Sequence, residues 1–136
     1  MTPRMDAESE LEALLRRIDR EIDRALAQVQ EAESTALLRR EARRTFFQSY
    51  PRLRGRVQVH HRVPLEWWRR LFPGTDPNRL SNLQGLPTLA HRRKASDLWD
   101  AFRAAYRRLG RSPTRAEVIR FAGIVDRSLH LPYPLP

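Results

Sequence analysis

No glycine or proline interrupts the chain from Asp6 to Tyr50. A run of that length without a helix breaker, rich in Glu, Arg, Ala and Leu, has helix as its favoured local state. Apolar residues recur at Leu11, Leu15, Ile18, Ile22, Ala25, Val29, Ala32 and Ala36, with gaps that alternate between four and three. That spacing is a heptad repeat, which lays one apolar seam along one side of a helix. Between the seam positions stand Glu, Asp and Arg. Glu12 and Arg16 are an attractive pair four apart, whereas Asp19 and Asp23 repel. Helix is expected from Met1 to about Arg44. Drawn straight, it would reach roughly 55–60 Å at 1.5 Å per residue, longer than a domain of this size is wide. It must therefore project, pair with a second copy, or bend, for which Ser34-Thr35 is a place. Two uses stay open: a dimerising or docking coiled coil, and one or two helices packed on their own domain. The late alanines favour close packing over a strong zipper.

The charge is placed unevenly. Residues 1–45 hold 9 Arg against 10 Asp and Glu, a net −1, whereas residues 46–136 hold 17 Lys and Arg against 6 acids, a net +11. A neutral segment joined to a strongly basic one points to a polyanion as partner of the basic part. With 136 residues and eleven aromatics, the chain suffices for one domain with a modest core, plus a helical appendage. It has no cysteine, which excludes disulfides and thiolate metal sites. No apolar run is long enough to span a membrane. The start is acidic and polar, unlike a secretory signal, so the expected location is cytoplasmic, or a target cell reached through a specialised secretion system.

Beyond residue 45 the pattern changes. Phe46, Phe47 and Tyr50 read as core, and Pro51 and Gly55 as turns. Residues 56–60 alternate and predict a short strand. Pro64 suits the first turn of a short helix, 64–71, in which Trp67 and Trp68 read as core more readily than as base-stacking platforms. A loop follows over 72–78, then a second strand over 82–86. Thr88 can cap a helix that Gly110 ends. Its apolar face is Ala95, Leu98, Phe102, Ala105, Tyr106 and Leu109, with Trp99 on the flank and arginines opposite. A last helix is expected over 112–128, capped by Ser112 with Pro113 at its first position and buried through Val118, Phe121, Ala122 and Val125. The tail, 131–136, reads as an extended proline-rich strip lying on the surface.

Three of the four histidines, His60, His61 and His91, fall within this basic half, at strand and helix ends. Strand side chains alternate, so His60 and His61 point to opposite sides and can divide two tasks, metal binding and substrate contact. Asn82 precedes the second strand, where its amide can reach across the hairpin. His91 lies in the first turn of the following helix, with Arg92, Arg93 and Lys94 immediately after it. His130 has no partner in sequence and reads as structural or surface.

These residues carry a resemblance. The doublet and its proline, His60-His61-Arg62-Val63-Pro64, are followed by Asn82-Leu83-Gln84-Gly85-Leu86, with His91 nine residues after Asn82 and Lys94 three past His91. The pattern resembles the HNH nuclease family with its ββα-metal finger, and within it the His-His branch common in bacterial polymorphic toxins. The resemblance covers about 40 of the 136 residues. It implies a mostly helical α+β fold, with a small finger over 56–109 between the N-terminal helical segment, 1–45, and the C-terminal helices of a basic domain, 46–136. It also implies a metal-dependent endonuclease acting on DNA more readily than RNA. His60 and His91 would hold one divalent metal ion, His61 would be the general base, and Asn82 would hold the loop and help orient His61. Arg62, Arg92, Arg93 and Lys94 would bind nucleic acid. Pro87 and Ala90 stand where many members place zinc-binding cysteines, so a structural zinc is excluded. No third protein ligand is evident. Two imidazoles suit Zn²⁺, Ni²⁺ or Mn²⁺ better than Mg²⁺, though waters and substrate phosphate can complete a Mg²⁺ shell.

A toxin role would imply an acidic immunity protein, and the heptad helix a homodimer. A phage or restriction role fits the sequence as well. The competing readings are a non-catalytic nucleic-acid-binding protein and a helical interaction module.

Overall fold

The computed structural model describes the backbone from Pro3 to Pro132 and the side chains from Asp6 onward. The expectation for the proline-rich tail falls mostly on residues 133–136, outside the described residues. The fold is mostly helical with one two-stranded antiparallel sheet, as the sequence led one to expect of an α+β chain. Its elements are α1 (Pro3–Ser49), β1 (Gln58–His61), α2 (Leu65–Leu71), β2 (Leu83–Leu86), α3 (Leu89–Leu109) and α4 (Arg115–Leu129), with short 3-10 turns at Pro51–Leu53 and Leu80–Asn82. No helix among the described residues is long and apolar enough to cross a membrane.

The chain divides into two compact units at Leu37 and Leu38. Among the described residues the first unit is all helix. Helical hydrogen bonding continues through Ser34 and Thr35. The seam finds no cover within this unit, since Leu11, Leu15, Ile18, Ile22 and Val29 are between 41% and 56% exposed, and Leu14 and Leu26 beside them are equally open.

The second unit begins with the last turns of α1. These turns belong to it because Ala42, Phe46 and Phe47 are buried there with Leu83, flanked by Tyr50, Leu53, Val57, Val59 and Leu80. The boundary expected at residue 45 thus lies inside a helix that continues to Ser49, and the last stretch of that helix serves as core. A second cluster joins Val63, Trp67, Trp68, Phe72, Leu86, Ala95, Trp99, Phe102, Val118, Ala122, Val125 and Leu129. Leu83 and Leu86 sit three apart on β2 and so face opposite sides, which lets one short hairpin wedge between both clusters. The Trp99, Phe102 and Phe121 rings stack and edge onto one another at 4.5–5.3 Å.

Several local expectations shift. On α3 the buried stripe is Ala95, Trp99 and Phe102, with Leu98 and Tyr106 at its edges. Trp99, expected on the flank, is central, and Leu109 and Ala105 are exposed. The i, i+4, i+7 line through Trp99 carries the larger rings, and the larger buried area decides the rotation of the helix. Helix α4 starts at Arg115 behind Thr114, not behind Ser112. Thr114 and Glu117 close a capping box, each side chain accepting the other residue's backbone N–H, whereas the Ser112 hydroxyl accepts from Arg70. Thr88 caps α3 as expected, and Gly110 ends it in the left-handed conformation at φ 70°.

Candidate functional site

β1 pairs with β2 in the register Gln58–Leu86, Val59–Gly85, His60–Gln84 and His61–Leu83. Directly opposed residues of an antiparallel pair project to the same face. His60 therefore shares a face with Gln84, and His61 the opposite face with Leu83. The ladder continues past the strand end, because the Arg62 N–H donates to the Asn82 carbonyl at 2.7 Å. The doublet thus occupies the last paired positions of β1, beside the chain reversal at Asn82.

Asn82 is 3% exposed and bridges two loops. Its Oδ1 accepts from the Val63 N–H at 3.0 Å, and its Nδ2 donates to the Pro77 carbonyl at 2.9 Å. It ties the segment after the doublet to the segment before Asn78. The residue in direct contact with His61 is a different one. Asn78 Oδ1 lies 2.7 Å from His61 Nε2. The Asn78 Nδ2 donates to the Leu38 carbonyl of α1 at 3.0 Å, which fixes which end of the amide faces the imidazole. An acceptor oxygen on Nε2 requires the proton there, so Nδ1 carries the lone pair.

Both imidazoles of the doublet are half-buried and titrate below their ordinary value near 6.5. For His60 the largest cause is burial, followed by the charges of Arg92, His61 and Arg39. For His61 burial again leads. The Asn78 hydrogen bond and Asp76 oppose it, while Arg39 and Arg69 add to it. Both rings are held neutral, the state needed of a metal ligand or a base. Arg39, Arg69 and Arg92 form a cationic surround drawn from α1, α2 and α3.

His91 stands in the first turn of α3. Thr88 Oγ1 accepts from its backbone N–H at 3.1 Å and meets its ring Nδ1 at 2.7 Å. The cap therefore commits Nδ1 and leaves Nε2 as the nitrogen for a ligand. His60, His61 and His91 do not gather as a triple ligand set: among the described residues, no three His, Asp or Glu side chains stand in metal-holding geometry.

Of the basic residues singled out in the sequence, Arg93 and Lys94 are exposed and Arg92 is half-buried near His60. Arg62 is committed elsewhere. Its Nε donates to Asp126 Oδ2 at 2.9 Å, a second N–H meets the same carboxylate, and Nη1 donates to the Ser81 carbonyl at 2.8 Å. It ties the doublet segment to α4. Trp67 and Trp68 are both 7% exposed, in the core. His130 is an exposed left-handed cap of α4 at φ 48°.

No family model, characterised protein or solved structure matches this chain.

Sequence reasoning missed Asn78, Arg39 and Arg69. Asn78 lies 17 positions after His61 in a loop, and Arg39 sits among the many charges of α1. No spacing rule connects them to the doublet. The one local sign is the Asp76-Pro77-Asn78 turn, in which Asp76 Oδ1 accepts from the Asn78 N–H at 2.8 Å.

Proposed function

We propose that the chain is a divalent-metal-dependent endonuclease of HNH type that hydrolyses phosphodiester bonds in DNA. The observation that carries this reading is the His61–Asn78 pair. An imidazole kept neutral by burial, with its Nε2 proton fixed on an amide oxygen, presents a basic Nδ1 for the proton of an attacking water. Asn82 holds the two loops that support this pair.

The donors proposed for a divalent ion are two imidazoles, His60 and His91. His60 is neutral for the reasons given, and His91 has its Nδ1 backed by a hydroxyl, the kind of outer partner that orients a ligating imidazole. His60 and His91 would hold the ion, with waters and a substrate phosphate completing the shell. Two imidazole nitrogens favour Zn²⁺, Ni²⁺ or Mn²⁺ over Mg²⁺. When bound, the ion supplies charge stabilisation to the phosphate in flight and to the leaving 3′-oxygen. Arg92, Arg93 and Lys94, with Arg39 and Arg69 beside the doublet, would draw the phosphate backbone in and hold flanking phosphates.

The test is plasmid cleavage with Mn²⁺, Zn²⁺, Ni²⁺ or Mg²⁺, with and without EDTA, beside His61→Ala and with an RNA arm. Metal-dependent nicking lost in His61→Ala supports the reading. Salt-sensitive binding without cleavage under any metal replaces it with a non-catalytic nucleic-acid-binding protein. Delivery as a toxin, with an acidic immunity protein over the cationic site, belongs to the same proposal and is tested by the neighbouring genes.

The exposed seam of the first unit favours a second role, self-association through α1. Its a and d positions hold Leu15, Ile22, Val29, Leu11 and Ile18, all open to solvent.

A further inference from the structure

Two side-chain atoms beside the doublet are buried with no hydrogen-bond partner: His60 Nε2 and Gln84 Oε1. They belong to directly opposed residues of the hairpin. The Arg62–Asn82 bond fixes the alternation of the ladder, which makes His60–Gln84 a hydrogen-bonded pair whose Cα atoms stand about 5.5 Å apart. Both side chains leave the sheet on one face, and Gln84 is only 2% exposed. A buried polar atom left without a partner keeps its full desolvation penalty, and native interiors rarely hold two such atoms on directly opposed residues.

We propose that Gln84 is a positioning residue for His60, its Oε1 accepting the Nε2–H of the imidazole so that Nδ1 keeps the lone pair for a divalent ion. One bond satisfies both orphaned atoms, because one is a donor in this tautomer and the other an acceptor. The opposite arrangement, with Nε2 and Oε1 both on the ion, places the ion where no solvent reaches. A catalytic ion needs an open coordination position for water and phosphate. The half-buried His60 ring can meet such an ion only through its other nitrogen. The pairing repeats on the second face of the strand what Asn78 does for His61 on the first. Each ring of the doublet then has a carboxamide oxygen behind Nε2 and a free Nδ1. The part concerning the ion rests on the proposed nuclease reading, whereas the His60–Gln84 bond does not.

The experiment uses the full chain, ¹⁵N-labelled, without metal and above the ordinary imidazole value. Long-range ¹H–¹⁵N spectra report the tautomer of each histidine. His60 is expected in the Nε2–H form, in a tautomer mixture in Gln84→Met, and again in the Nε2–H form in Gln84→Glu, which restores an acceptor. Calorimetric titration with Zn²⁺ alone then reads affinity. Gln84→Met is expected to bind about 10–100-fold more weakly, the usual cost of removing an outer partner, and Gln84→Glu to recover. An Nδ1–H tautomer in the wild type, or a tautomer indifferent to Gln84→Met, overturns the pairing. Unchanged Zn²⁺ affinity in Gln84→Met overturns the role in metal binding. A wild type that binds no divalent ion but keeps the Gln84-dependent tautomer sinks the nuclease reading and leaves the bond standing.

Discussion

Asn78→Ala removes one small side chain and should disturb both the fold and the base. Asn78 is 5% exposed and makes two bonds, to His61 Nε2 at 2.7 Å and to the Leu38 carbonyl at 3.0 Å. Each is worth about 0.5–1.5 kcal/mol net, and the stranded Nε2–H adds a desolvation cost, for a total of about 2–4 kcal/mol. In a unit of this size such a loss lowers Tm by roughly 10–20 °C. The rate should fall too, because His61 is no longer held in one orientation. If the lost orientation is worth about one such bond, cleavage slows by a factor of about 2–13. The measurements are thermal unfolding by circular dichroism and plasmid nicking at a pH above the ordinary imidazole value, where protonation contributes nothing. Asn78→Asp separates the two duties. It keeps an acceptor for His61 but sets an oxygen against the Leu38 carbonyl, so stability should stay low while the His61 Nε2–H tautomer returns. An Asn78→Ala protein that melts within about 2 °C of wild type, a shift worth less than one such bond, would show that these bonds are not made in solution. Unchanged nicking by a well-folded variant would remove Asn78 from the site.

Four further outcomes are expected elsewhere in the molecule. Asn82→Ala should lose about 2–4 kcal/mol in urea unfolding, since it frees the buried Val63 N–H and the Pro77 carbonyl together. The metal-free protein should lose stability in acid. His60 and His61 titrate below 6.5 when folded, chiefly through burial, so their contribution is complete above 6.5 and is lost as pH falls from there through the lowered folded values. Arg39, Arg69 and Arg92 push the same way and Asp76 opposes them. Unfolding midpoints across that window measure it, and a His60→Gln, His61→Gln double variant should flatten the curve. Thr114→Ala should cost about 1 kcal/mol by opening the capping box of α4, without altering cleavage. Leu15→Asp with Ile22→Asp should abolish self-association in sedimentation equilibrium. A wild type that sediments as a monomer at every concentration refutes the role given to the seam.

The parts of the site that were readable in the sequence are those made by neighbours along the chain. Thr88 before the His91 turn, Gly110 after Leu109 and the doublet at a strand end all follow from propensities and caps that act over three or four residues. The second strand differs from expectation by a single residue, because its start is set by the 3-10 turn ending at Asn82. The start of α4 differs from expectation. Ser112-Pro113 reads as a helix start, but Thr114 has Glu117 at the capping-box spacing and Ser112 has Arg70 as a partner.

What the chain determined alone was therefore helix content, the position of the hairpin, the uneven charge and the candidate imidazoles, since each depends on short-range pattern or on composition. Tertiary structure decided which groups meet those imidazoles. Asn78 reaches His61 because a loop folds back against α1, and Gln84 lies opposite His60 because the hairpin register puts it there. Arg62 faces Asp126 across 64 residues and not open solvent. Such contacts depend on how separated segments pack, and packing is set by buried area and ladder register, quantities that no local spacing encodes.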